Sequence, residues 1–180
     1  MKPNVLHDLL RLPLIIEQGE LAKQIAEFRR LFNEASESDV ISQDTSGETI
    51  LHLMAKNPVF IELSKEVIKK YPQLLSIRNH VGIYPIHTAI LNQNSKQLEF
   101  LLSIDGPRTD TRDRTIIHHG VNASPEILDL CCNAAPELIS EVDGEGYTAL
   151  ERAIESGNTA AQRILLTKAR PSQDEARLNL

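Results

Sequence analysis

Three histidines, His52, His87 and His118, occupy the same place in three similar strings. Two reactive pairs lie close by, His118-His119 and Cys131-Cys132. Imidazole and thiolate are the common ligands of zinc, so a metal site is the first chemistry to weigh. Zinc takes four N or S ligands, ordinarily spaced C-x2–4-C or H-x3–5-H, so that two side chains converge on one ion. Adjacent helical residues point about 100° apart, and neither pair has a converging spacing. Histidines recurring once per stacked unit would sit about 10 Å apart, too far to share an ion held by bonds of about 2 Å. The expected role is structural, a ring that hydrogen-bonds backbone within and between units. Asp143-Gly144-Glu145-Gly146 has the outline of a calcium loop, but Ile154 stands where the bidentate Glu belongs. No G-x-x-x-x-G-K-S/T, G-x-S-x-G or H-E-x-x-H string occurs. No metal, cofactor or catalytic residue is expected. A rival reading, a small enzyme with an unrecognised site, would need a carboxylate or Cys/His cluster with shifted pKa values.

The elements that position these residues follow from self-comparison. Tyr71-Pro72-Gln73-Leu74-Leu75-Ser76 reappears as Ala135-Pro136-Glu137-Leu138-Ile139-Ser140, 64 residues on. The same offset joins Asn79 to Asp143, Gly82 to Gly146 and Ala89 to Ala153. One intervening string and one earlier string complete four units, opening at Asp44, Asn79, Asp110 and Asp143, with the pattern D/N-x-x-G-x-T-x-L-H-x-A. Asp or Asn starts a turn by bonding its own backbone two residues on. Gly47, Gly82 and Gly146 supply positive φ. Thr49, Thr115 and Thr148 cap the helix that follows, and Pro85 suits a first helical turn. Leu51, Ile86, Ile117 and Leu150 are the expected buried anchors. A second helix per unit shows in Leu63, Val67 and Ile68; in Leu98, Leu101 and Leu102; in Ile127, Leu130 and Cys131; and in Ala161, Ile164 and Leu165.

Four phased copies of turn, helix and helix resemble the ankyrin repeat, over roughly residues 40–170. The departures are Tyr84 for Thr, Asp113 for the turn Gly, Met54 and Gly120 for the helix Ala, and Glu151 for His. The resemblance implies an all-α ankyrin-repeat solenoid of about four helix-turn-helix repeats with β-turn tips. Residues 1–39 carry two further helical patterns, one through Val5, Leu6, Leu9, Leu10 and Leu12, the other through Leu21, Ile25, Phe28 and Phe32. They predict an N-terminal helical cap, with a degenerate repeat entered at Leu6-His7 as an open alternative. Ser36-Glu37-Ser38-Asp39 reads as a linker, and residues 171–180 as a flexible tail.

Composition narrows the function. The 180 residues are 41% hydrophobic and 24% charged, ordinary for a globular chain. Nineteen Lys+Arg against 25 Asp+Glu give a net charge of −6, and there is no Trp. A nucleic-acid binder needs a cationic face and stacking aromatics, so none is expected here. No apolar run is long enough to span a membrane. Adjacent cysteines rarely close a structural disulfide, which favours a reducing, cytoplasmic setting and leaves Cys131 in the core with Cys132 partly exposed.

The resemblance implies binding to a partner protein through the turn tips and first-helix faces of the repeats. Carried over residue by residue, the expected contact residues are His80, Val81, Ile83, Leu91, Arg112, Arg114, His119, Tyr147 and Arg152. Leu53, Lys56 and Asn57 stand at the matching first-helix positions of the first unit. Val81, Ile83 and Leu91 are apolar where solvent is expected, and Tyr and Arg are favoured hot-spot types. A monomer is expected. A second reading, a delivered effector of an intracellular bacterium acting on a host protein through the same surface, is compatible with the irregular units and with Asp174, Glu175, Leu178 and Leu180 in the tail.

Overall fold

Each repeat begins with a carboxylate or amide that organises its own turn. A computed structural model describes residues 5–12, 19–104 and 109–169. Within it, Asp44 Oδ1 accepts the N–H groups of Ser46 and Glu48 at 2.7 and 2.9 Å. Asn79 takes those of Val81 and Ile83, Asp110 those of Arg112 and Arg114, and Asp143 those of Glu145 and Tyr147. One side-chain oxygen thereby holds two N–H groups that no helix or strand would satisfy. The fourth turn residue must adopt positive φ: Gly47 at 75°, Gly82 at 82° and Gly146 at 86°. Asp113, which departs from the glycine pattern, adopts 55° as well. Asp is one of the few non-glycine residues that tolerates this region.

The turns feed short first helices, each followed by a longer second helix. The described helices are α1 (Val5–Arg11), α2 (Glu20–Glu34), α3 (Glu37–Val40), α4 (Ile50–Ala55), α5 (Ile61–Lys70), α6 (Pro85–Leu91), α7 (Ser95–Ile104), α8 (Ile116–Gly120), α9 (Pro125–Ala134), α10 (Ala149–Glu155) and α11 (Thr159–Lys168). The pairs α4/α5, α6/α7, α8/α9 and α10/α11 are the four units read from the sequence. Among the described residues there is no strand, only an isolated bridge between Val142 and Thr148. The fold is an all-α ankyrin-repeat solenoid.

The chain divides into two compact units, Met1–Gln97 and Leu98–Leu180. In the first, Ile50, Leu51, Met54, Ala55, Leu63 and Val67 form a closed core with Ile86, Ala89 and Ile90. Each large aliphatic side chain so buried contributes about 1.5–3 kcal/mol. Phe28 and Phe32 of α2 join it, and Phe32 meets Tyr71 edge-on with centroids 5.7 Å apart. Asn94 ties the repeats: its Nδ2 donates to the Ala55 carbonyl at 3.0 Å while its Oδ1 caps α7 through Gln97 N.

The second unit repeats the device. Asn158 donates to the Val121 carbonyl at 2.7 Å and caps α11 through Ala161 N. Its core holds Ile116, Ile117, Val121, Ile127, Leu128, Cys131, Ala149, Ala153 and Leu165.

Several expectations need correction. Leu128 and Cys132 are buried on α9 with Ile127 and Cys131, while Leu130, a member of the predicted stripe, is only half-buried. Leu150 is half-buried, unlike its counterparts in the other three repeats. Val5 and Leu12 are exposed, so the apolar face of α1 is narrower than the sequence predicts. Ser36–Asp39 is a helical entry, since Ser36 Oγ accepts Asp39 N while Asp39 takes Ser36 N, both at 3.3 Å. The S-x-x-D spacing is that of a capping box. The tail expectation falls on residues outside the described set.

Candidate functional site

The histidines that first suggested a metal are the rungs of a hydrogen-bond ladder. His52 Nδ1 accepts from Thr49 N at 3.2 Å and from the Thr49 hydroxyl at 2.9 Å. A nitrogen that accepts carries no proton, so the proton sits on Nε2. That Nε2 donates to the Ile83 carbonyl of the next repeat at 3.1 Å. His118 repeats the arrangement with Thr115 N at 3.2 Å and with the Tyr147 carbonyl at 2.9 Å. His87 accepts from Tyr84 N at 3.1 Å, so the backbone half of the cap survives the loss of Thr. His7 Nε2 donates to the Glu48 carbonyl at 3.0 Å, the same bond one step earlier in the chain. Burial pushes His7 and His52 below the ordinary histidine range. Neutral donors of this kind hold repeats in register.

The turn aspartates are neutralised individually. Arg11 pairs with Asp44, Arg114 and His119 with Asp110, and Arg152 with Asp143. Where the turn residue is the uncharged Asn79, the position matching His119 and Arg152 holds Thr88. Burial works to raise the Asp110 carboxyl. The Arg114 guanidinium and the N–H groups of Arg112 and Arg114 outweigh it and hold Asp110 at about 2. For His119, burial and then the Arg114 charge prevail over Asp110 and push the ring down to about 4. At neutral pH a neutral imidazole therefore donates to an ionised carboxylate at 3.1 Å.

The expected contact residues divide into two groups. His80, Val81 and Leu91 are exposed in the first unit, Val81 at 71% and Leu91 at 51%. In the second unit Arg112 and Tyr147 are exposed and Arg114 and Arg152 half-buried. Arg152 bonds Asp143, Glu145 and Glu155 and lies 4.3 Å over the Tyr147 ring. That network fixes the tip of the fourth repeat.

Ile83 and His119 do not lie on the surface. Ile83 is 7% exposed, and its carbonyl accepts from His52. His119 is 6% exposed and committed to Asp110. Both side chains are buried, unlike the other expected contact residues. Cys132, expected to be partly exposed, is buried beside Cys131, and both are free thiols. Burial pushes them up to about 12 for Cys131 and about 11 for Cys132, so neither is a ready nucleophile. Among the described residues no group of three or more His, Cys, Asp or Glu could hold a metal ion. No described helix is long and apolar enough to cross a membrane. Asp174, Glu175, Leu178 and Leu180, on which the effector reading leans, lie outside the described residues.

Sequence reasoning missed Asn94 and Asn158. They lie 64 residues apart, the same offset that exposed the repeat, so the signal was present.

Asx-built turns, capped helix pairs and a histidine rung to the next repeat define this chain as an ankyrin-repeat protein. No family model matches it. It is similar to two curated ankyrin-repeat proteins. One is the nuclear factor NF-kappa-B p105 subunit of Gallus gallus, 24% identical over 139 residues, with 69% of this chain and 14% of that protein covered. Another is NF-kappa-B inhibitor delta of Mus musculus, 30% identical over 127 residues, with 67% of this chain and 38% of that protein covered. The chain spans well under half the length of either relative.

Proposed function

We propose that this chain is a non-catalytic, cytoplasmic, monomeric module that binds a partner protein through its turn tips and first-helix faces. The ankyrin-repeat relatives support the coarser statement, a protein–protein interaction module. The observation that carries the finer one is the placement of Val81, 71% exposed, on a turn whose neighbouring residues are fixed by Asn79. A large apolar side chain held rigidly in water gains by being covered. In the first unit the docking residues are His80, Val81 and Leu91. In the second they are Arg112, Arg114, Tyr147 and Arg152. The N-terminal hairpin serves as a degenerate first repeat, a reading supported by the His7 bond to Glu48.

Affinity capture from the native cell followed by mass spectrometry tests this. The wild-type chain is expected to retain a partner that Val81→Asp or Arg112→Glu releases, with both variants folded by circular dichroism. Retention of every partner by both variants, or substrate turnover by the purified chain, would overturn it.

A further inference from the structure

A cavity of about 400 Å³ opens on the first unit between α1 and α4. That lies in the range of sites that accept ligands, about 300–1,000 Å³. Its floor is apolar: Leu10, Leu53 and Phe60 are 8%, 5% and 2% exposed. Its rim carries Leu12, 51% exposed, and two cations, Arg11 and Lys56. Arg11 pairs with Asp44, and Lys56 with Glu48 at 2.7 Å. The pairs are lopsided. The Asp44 and Glu48 side chains are 5% and 12% exposed, whereas Arg11 and Lys56 are 43% and 42% exposed. Asp44 also spends its second oxygen on the N–H groups of Ser46 and Glu48. The acids thus face inward and the bases outward. Arg and Lys only donate hydrogen bonds, so the rim asks for acceptors, and carboxylates answer both charge and donor.

We propose that this cavity receives a partner's peptide segment in which an aliphatic side chain is flanked by Asp or Glu. The proposal rests on the protein-binding reading above and names the chemistry of the partner. The aliphatic group covers Leu10, Leu53 and Phe60 and shields Leu12. The flanking carboxylates bond the exposed ends of Arg11 and Lys56. Because the cations stand at a solvated rim, affinity falls as salt rises.

The test uses the isotope-labelled full chain and an acetylated, amidated Glu-Glu-Leu-Leu-Glu-Glu peptide, read by amide chemical shifts. Saturable shifts are expected at Leu12, Leu53, Lys56 and Asn57. Lys56→Glu and Leu12→Asp should each weaken binding at least tenfold, Lys56→Arg should preserve it, and Leu166→Asp, at an exposed position of the second unit, should leave it unchanged. All four replace exposed side chains, and each variant's amide spectrum reports its fold directly. Equal binding of Lys-Lys-Leu-Leu-Lys-Lys, shifts confined to the turn tips, or no shifts at millimolar peptide would overturn the proposal. So would hexanoate binding as tightly as the peptide, which would make this a small-acid site. Concentration-dependent shifts of the same amides without peptide would assign the cavity to a second copy and also overturn it. If captured partners are lost with Val81→Asp but kept with Lys56→Glu, this inference fails while the protein-binding reading stands.

Discussion

Acid should loosen this protein well before its carboxylates titrate, and His119 allows the effect to be sized. Its ring is held at about 4, against the ordinary histidine value of 6.5. A base whose folded pKa lies below its unfolded value binds fewer protons when folded. Its stabilising contribution is therefore complete above the unfolded pKa and is lost as pH falls through the interval down to the folded pKa. The interval from 6.5 to about 4, at 1.36 kcal/mol per unit, corresponds to about 3 kcal/mol in full, of which about 2 kcal/mol is lost between pH 7 and pH 5. The His119 side chain is 3% exposed, so solvent screening does not dilute the figure. Burial lowers His7 and His52 as well, which steepens the same limb. Asp110, held at about 2, acts in a separate window: its contribution is present above the usual carboxylate pKa of 3.8 and is lost only as pH falls from there toward 2. The assay is urea unfolding between pH 4.5 and 7.5 for the wild type and for His119→Gln, which keeps a donor for Asp110 but cannot titrate. The variant's curve should be flatter by about 2 kcal/mol between pH 7 and 5. Parallel curves would rule out His119 as the titrating group. A wild type that gains stability on acidification would show instead that His119 is a charged partner of Asp110 with a raised pKa.

Two further outcomes follow from packing. Gly47→Ala should cost about 3 kcal/mol and Gly146→Ala about 1 kcal/mol. Both take positive φ, but a Cβ on Gly47 would lie 2.5 Å from His80 N, which is tied to the Ser46 carbonyl, while Gly146 faces open space; equal shifts in urea midpoint would contradict this. Cys131 and Cys132, buried and raised to about 12 and 11, should react with a disulfide reagent at pH 8 only as fast as the chain unfolds. Rapid native-state labelling, followed spectrophotometrically, would contradict their burial.

The repeat was legible because its chemistry is local. An Asp or Asn that closes its own turn, a Thr that caps, and a histidine three residues beyond the cap fall at fixed spacings. Spacing survives even where identities change, as at Tyr84 and Asp113. The surface was less legible because facing is decided between repeats. Ile83 stands in a turn and is apolar, so from sequence it reads as a docking residue, yet it is buried, while Tyr147, whose carbonyl accepts the same rung bond, stays exposed. His119 sits next to the rung histidine and reads as a free first-helix residue. What the sequence could have revealed is the pairing rule: turn units with Asp at the start carry a cation or histidine nine residues on, at His119 and Arg152, or borrow one from elsewhere, as Asp44 borrows Arg11.

The same rule of two-sided chemistry explains the most conspicuous departure, Glu151 in place of histidine. The rung residue has two tasks, to accept from the cap of its own helix and to donate to the next repeat. Glu151 Oε2 accepts Thr148 N at 2.7 Å and the Thr148 hydroxyl at 2.9 Å, and Thr148 Oγ1 accepts Glu151 N at 3.2 Å. The intra-repeat task is therefore done in full, as a capping box. An ionised carboxylate has no proton to give, so the second task is abandoned. A further repeat stacked on α10 would bring its turn carbonyl against a carboxylate. Glutamate at this position caps its own helix while removing the donor on which the ladder depends.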